Sequence, residues 1–209
     1  MYKYRVRGMF IDNDLKSFYP PKEKQSSKIN SSEFCLYTEL FKKYNLQEII
    51  AYIVKEDCSI VEYKKDKLEK LSKSLAGQLY NETKITNRQL KIFGVTKASE
   101  ESLIMMLASA WLGAHHSICF EELSEEAIQT RIKIFKPDII LHRESLREKI
   151  DNLKIKSYSP NTIISSINSK VLEEKFFENT INIKKPKTYN NNEYLFTLYT
   201  SGSTGKPKA

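Results

Sequence analysis

Three observations predict an α/β fold assembled from βαβ units around a mostly parallel sheet. From about residue 48 the apolar residues switch between strand-like runs and helix-like spacing, in the order strand, helix, strand, helix, strand. The links between these runs are only a few residues long, which favours crossovers between parallel neighbours. Capping and stop residues stand where such elements should begin and end.

The elements follow in chain order. Residues 1–47 read as an irregular lead-in, broken by Pro20-Pro21 and by a Ser/Lys/Asn run from Lys24 to Ser32. Residues 48–209 read as one α/β stretch. Ile49–Val54 and Ser59–Tyr63 are β-rich and separated by Lys55-Glu56-Asp57-Cys58, which predicts a hairpin. Leu68, Leu71, Leu75 and Leu79 then recur at helical spacing with Lys and Glu between them, giving an amphipathic helix from about Asp66 to Asn81.

Gln89–Val95 is the next strand. Ser99-Glu100-Glu101 opens a helix: the hydroxyl can cap free amides, and the carboxylates suit the positive end of the dipole. Its body, Leu103–Leu112, is apolar on nearly every face, and Gly113 is placed to stop it. Ile118–Phe120 predicts a short strand. Ser124 opens a helix with Ala127, Ile128, Ile132 and Phe135 on one face, Pro137 ends it, and Asp138–Leu141 is a further strand. Thr162–Ile167 reads as a strand, Val171–Phe177 as a short helix, Lys184–Asn192 as a linker, and Tyr194–Tyr199 as a buried strand.

Composition narrows the function classes. Net charge is +8, from 34 basic and 26 acidic side chains, but no block of five Lys or Arg occurs and the acidic residues are interleaved. Phosphate backbones are bound by concentrated basic patches, so this charge reads as a solvated surface and a nucleic-acid partner is not expected. Leu103–Leu112, the longest apolar run, is too short to span a bilayer, and the N-terminus shows no signal-peptide pattern. Cys35, Cys58 and Cys119 are far apart and without metal-like spacing, which predicts reduced thiols and a cytoplasmic protein without a metal centre. His115 and His116 are adjacent, so on a strand they point to opposite sides and read as packed or hydrogen-bonded residues rather than ligands of one ion. Trp111, Met105 and Met106 read as core.

The chemistry concentrates at the end of the chain. The apolar run Tyr194–Tyr199 feeds into Thr200-Ser201-Gly202-Ser203-Thr204-Gly205-Lys206-Pro207-Lys208. Glycines let backbone N–H groups converge on an anion, hydroxyls add donors, and lysine adds charge, so the loop suits a polyphosphate. It is not a Walker-type loop. Only Ser203 and Thr204 separate Gly202 from Gly205, and Pro207 stands after Lys206 where that motif needs a hydroxyl for Mg²⁺.

Tyr199–Lys208 resembles the phosphate loop of the adenylate-forming (AMP-binding) enzymes, the superfamily of acyl-CoA synthetases, luciferases and peptide-synthetase adenylation domains. The superfamily has Gly at the next position, where this chain has Ala209. Upstream, Met106-Leu107-Ala108-Ser109-Ala110-Trp111-Leu112-Gly113-Ala114-His115-His116-Ser117-Ile118-Cys119-Phe120 is similar to a stretch of acetyl- and propionyl-CoA synthetases. The resemblance runs from about residue 48 to 209 and is strongest in 103–147 and 194–208. It implies the N-terminal subdomain of an adenylate-forming enzyme, with residues 48–209 a partial AMP-binding domain cut at the phosphate loop. The adenine motif, the C-terminal part and the lid domain with the catalytic lysine would lie elsewhere, so no catalytic residue is assigned here.

The resemblance implies an ATP-dependent short-chain acid–CoA ligase. Acetate or propionate and ATP give an acyl-adenylate and pyrophosphate, and CoA then displaces AMP. ATP with Mg²⁺ and CoA are the implied cofactors, and a small carboxylic acid is the substrate. Thr200, Ser201, Ser203, Thr204 and Lys206 would hold the ATP phosphates, Gly202 and Gly205 would supply backbone freedom, and Lys208 also matches a family position. Arg147 matches a position that contacts a CoA phosphate. The chain departs from the family pattern where two glycines should follow Phe120: it has Glu121-Glu122, whose charges oppose a phosphorylated nucleotide. Ile150 stands at the family's second basic position, with Lys149 one place early. The expectation is a ligase piece inactive alone, or one half of a split ligase that assembles with a separately encoded C-terminal fragment; a basic nucleic-acid-binding protein, resting on the +8 charge alone, ranks last.

Overall fold

The computed structural model describes residues 35–199 apart from 56, 85, 86 and 191. Four parallel strands form the central sheet: β3 (Lys91–Thr96), β4 (His115–Phe120), β5 (Ile139–Arg143) and β6 (Ile163–Ile167), in the spatial order β4-β3-β5-β6. Before them come α1 (Leu36–Phe41), the antiparallel hairpin β1 (Ile49–Val54) and β2 (Ile60–Lys64), and α2 (Lys65–Thr83). Between and after them lie α3 (Glu100–Leu112), α4 (Glu125–Phe135), α5 (Arg147–Asn152), α6 (Ser169–Glu174) and α7 (Phe176–Thr180).

The sheet is covered on both faces, which explains why its central strands read as continuous apolar runs rather than alternating ones. On one face, Ile92, Ile139 and Leu141 pack with Leu68, Leu71, Leu75 and Leu79 of α2 and with the apolar body of α3. On the other, Phe93, Val95 and Ile140 pack with Ile128, Ile132 and Phe135 of α4 and with Ile150 of α5. The crossover β3-α3-β4 therefore runs over one face and β4-α4-β5 over the other. The chain turns back between β3 and β5, and a crevice at the carboxyl ends of those strands follows from that reversal.

Local signals account for the boundaries. Ser99 and Ser102 form a reciprocal cap at the start of α3, and Gly113 ends it with φ +63°. Ser124 Oγ accepts from the Ala127 amide at the start of α4. Asp138, just before β5, takes the Arg88 guanidinium at 2.6 and 2.8 Å and the Lys91 amide at 2.9 Å, tying the start of β5 to that of β3.

Two expectations are corrected. Within the stretch read as irregular, Leu36–Phe41 is helical, because Tyr37 and Phe41 bury one turn apart against the core. The Tyr37 ring meets Trp111 edge-on at 4.7 Å, and its hydroxyl lies 2.9 Å from Ser72 Oγ. Tyr194–Tyr199 is not a buried strand. It makes one parallel bridge to β4, His116 to Phe196, and Tyr194, Phe196 and Leu198 are exposed. Beyond the outer edge of β4 nothing among the described residues covers the side they face. Smaller differences concern lengths: β4 begins three residues earlier than its apolar core, and the helix read over 171–177 is two short helices.

Candidate functional site

The segment 194–199 runs along the outer edge of β4 and ends at Tyr199, the residue bonded to Thr200. Its backbone is joined to β4 at His116, whose N–H donates to Leu195 O (3.2 Å) and whose carbonyl accepts from the Thr197 amide (2.9 Å). Tyr199 packs on the α4 side of the sheet: its hydroxyl donates to Arg131 O at 3.4 Å, and the Arg131 guanidinium lies 5.8 Å from its ring centre. Beside it opens a cleft of about 390 Å³ lined by Ser102, Met106, Phe120, Leu123, Arg131 and Tyr199. Thr200, Ser201, Gly202, Ser203, Thr204, Gly205, Lys206 and Lys208, the residues expected to hold phosphates, lie outside the described residues.

Both histidines are packed, as their adjacency predicted. His115 is buried, with Nε2 at 2.7 Å from Thr197 Oγ1 and its ring 4.8 Å from that of Phe135. Burial and the nearby Lys91 lower its pKa. His116 points the other way, toward Phe196. Burial, reinforced by His115, pushes its pKa down to about 4, and its Nδ1 has no hydrogen-bond partner among the described residues. Neutral imidazoles suit such surroundings because a charged ring there would be desolvated. Among the described residues no group of three His, Cys, Asp or Glu could hold a metal ion.

A second cleft, of about 590 Å³, occupies the crevice at the carboxyl ends of β3 and β5. The hairpin supplies an apolar wall through Ile53, Val54 and Val61, while Glu101, Glu122 and Arg143 stand opposite. Arg143 is the residue that sequence reasoning missed here. Its guanidinium meets Glu121 at 3.0 and 3.3 Å and Glu101 at 3.6 Å, a pairing between residues far apart in sequence. Arg147 opens α5 and is turned to Glu144, which accepts from it at 2.7 and 2.9 Å. A hydrogen bond from Ser166 and, after it, the Arg147 pair hold the Glu144 carboxyl below its usual range. Lys149 Nζ donates to the carbonyls of Glu121 (2.6 Å) and Leu123 (2.8 Å), so it braces the β4–α4 turn. The structure thus brings Glu121, Arg143 and Lys149 together and leaves Arg147 on the exposed side with Glu144.

A parallel sheet wound on both faces, with an edge segment that leads into a hydroxyl- and glycine-rich sequence, defines the doubly wound α/β class. The chain belongs to the AMP-binding enzyme family, whose sequence model matches residues 63–209. An acetyl-coenzyme A synthetase of Helicobacter acinonychis (strain Sheeba) is 29% identical over 205 residues, covering 88% of this chain and 30% of the relative. A 3-hydroxypropionyl-coenzyme A synthetase of Metallosphaera sedula is 28% identical over 128 residues, covering 52% of this chain and 19% of that protein. The chain spans about 30% of the length of the Helicobacter acinonychis protein and of a second Helicobacter acetyl-coenzyme A synthetase.

Solved structures agree on the fold. A Brucella canis acyl-CoA synthetase superposes with a TM-score of 0.67 at 14% identity, covering 85% of this chain and 33% of that one. ATP-bound MatB from Rhodopseudomonas palustris gives 0.61 at 15% identity, covering 84% and 34%. Among the described residues no helix is long and apolar enough to cross a membrane.

Proposed function

We propose that this chain contributes the phosphate-binding lead and the first α/β layer of an ATP-dependent short-chain acid–CoA ligase. The observation that carries the proposal is the family match, which runs through Thr200–Lys208 and takes in the edge segment that leads there. In the reaction, a carboxylate oxygen of acetate or propionate attacks the α-phosphorus of ATP and pyrophosphate departs. The CoA thiolate then attacks the acyl carbon, and AMP leaves with the bonding electrons. Loop hydroxyls, backbone amides and Lys206 would orient the β- and γ-phosphates and offset the charge that builds on the leaving group. Mg²⁺ bound with the nucleotide would supply further neutralisation of those phosphates.

CoA would meet a surface unlike the family pattern. The Glu121 carboxylate is neutralised by Arg143, and Lys149 is committed to carbonyls, while Glu122 is exposed. Arg147 would serve a CoA phosphate only by leaving Glu144, an exchange of one surface ion pair for another that costs little.

Calorimetric titration of the 209-residue chain with Mg²⁺-tripolyphosphate tests the reading. Binding should weaken by roughly tenfold or more in Lys206→Ala, since a charge-assisted contact is worth about 1.5–3 kcal/mol, and should be unchanged in Lys187→Ala. Absence of binding, or indifference to Lys206, would sink it.

A second reading is favoured by the exposed apolar row Tyr194, Phe196 and Leu198 beside exposed Phe120. A separately encoded polypeptide carrying the remainder of the fold would cover this row. Such a partner should co-purify with the chain and restore acetate- or propionate-dependent exchange of pyrophosphate into ATP. A chain that stays alone in the presence of that polypeptide argues against assembly.

A further inference from the structure

We infer that Gln89, His115 and Ser117 are positioning residues that hold 194–199 in one register on the edge of β4 and so fix the placement of Tyr199, the residue that precedes the loop sequence. The inference rests on the loop reading proposed above. It starts from a degeneracy in the sequence. Tyr194-Leu195-Phe196-Thr197-Leu198-Tyr199 is apolar at every position but one, so both sets of alternate residues are apolar. A strand slipped by one residue would exchange inward Leu195 and Tyr199 for Tyr194, Phe196 and Leu198 at little cost in burial. The hydrophobic pattern that ordinarily sets register is therefore silent here.

Polar contacts replace it, and they converge on the one polar residue. Thr197 is held at three points by three consecutive residues of β4. His115 Nε2 lies 2.7 Å from its hydroxyl, the carbonyl of His116 accepts from its amide at 2.9 Å, and Ser117 Oγ donates to its carbonyl at 2.8 Å. At the other end Gln89 spends both ends of its amide on a single residue: Nε2 donates to Tyr194 O at 2.7 Å, and Oε1 accepts from Tyr194 N at 3.1 Å. The same Nε2 donates to Gly113 O at 3.0 Å, which keeps the amide from rotating away.

His115 and Ser117 are themselves buried, so their polar atoms would lose these bonds without replacement by water in a slipped register. Only the observed alignment satisfies all of them. A slip of one residue would displace the start of the loop by about 3.3 Å, as much as a whole hydrogen-bond length. A phosphate site aligned from Tyr199 onward would not survive it.

The test uses the 209-residue chain, Mg²⁺-tripolyphosphate as the probe, and hydrogen exchange at the Thr197 amide. Thr197→Val keeps the shape and removes the hydroxyl, whereas Thr197→Ser keeps it. His115→Ala combined with Ser117→Ala removes the partners. Thr197→Val and the double variant should each bind tripolyphosphate roughly tenfold more weakly and exchange the Thr197 amide faster, with thermal unfolding little changed in Thr197→Val. Thr197→Ser should behave as the parent chain. Should the double variant fail to fold, the Val and Ser pair decides alone, being conservative at a half-buried position. Equal binding and equal exchange in Thr197→Val and the parent would overturn the inference alone. A parent chain that does not bind tripolyphosphate overturns the loop reading and this inference with it.

Discussion

Two neighbouring parts of one sheet are held by different forces. In β3 and β5, Ile92, Phe93, Val95, Ile139, Ile140 and Leu141 are nearly inaccessible, so burial on both faces reinforces the backbone ladder that pairs the strands. The segment 194–199, on the far side of β4 from β3, keeps three of its five apolar side chains in solvent and is held by hydrogen bonds to His115, His116, Ser117 and Gln89. Changes in the edge segment can therefore alter alignment without loss of the fold. Burial energy is non-directional and cooperative, whereas a clamp of a few polar bonds is local and specifies alignment.

The largest effect should come from the first region. Phe93→Ala removes a fully buried ring from the centre of the sheet, and large-to-small changes of this kind cost about 3–5 kcal/mol. Urea unfolding should show a loss of unfolding free energy of that size. A cost below about 1 kcal/mol would mean that the central strand is not the anchor of the fold.

Next in size is a pH effect at the boundary between the two regions. The folded His116 titrates near 4, below an unfolded value of about 6.5. Between these values the unfolded chain binds more protons than the folded one, so stability rises with pH. Its contribution is complete above pH 6.5 and is lost as pH falls toward 4, about 3 kcal/mol in all. Replacing the ring by the similarly shaped phenyl in His116→Phe should flatten the stability profile over that window. An unchanged slope would show that His116 is solvated in the folded chain.

Ser117→Ala should cost about 1 kcal/mol, the usual net value of a hydrogen bond lost at a buried site. The loss should be concentrated in amide exchange at 195–197 rather than in global unfolding. Smallest of all, Phe196→Ser should change stability by less than about 0.5 kcal/mol, because the ring is 54% exposed. A large loss there would place the segment in the same energetic class as β3 and β5, and the comparison would collapse.

Much of the first region was legible in the sequence. Ser99, Gly113, Ser124 and Pro137 mark helix ends by local chemistry, and the leucine spacing of 68–79 is a clear helical signal. The hairpin and four parallel strands followed from short apolar runs. The second region was less legible because Tyr194–Tyr199 looks like any buried strand, and only its contacts reveal that one side is bare. The short α1 was hidden for a related reason: six residues give too little periodicity, and the helix exists because Tyr37 and Phe41 find Trp111 and α2. The Arg143–Glu121 and Lys149–carbonyl contacts join residues more than twenty positions apart and leave no local trace. The phosphate loop itself was read entirely from residue types and their order, and its residues lie outside the described ones.

Amide chemical shifts of the labelled chain, recorded while Mg²⁺-tripolyphosphate is added, examine the central claim at the residues concerned. Saturable shifts are expected at 200–206 with smaller changes at 197–199, and none across β5 or α2. Saturable shifts confined to the crevice between β3 and β5, or no shifts at any residue, would contradict it.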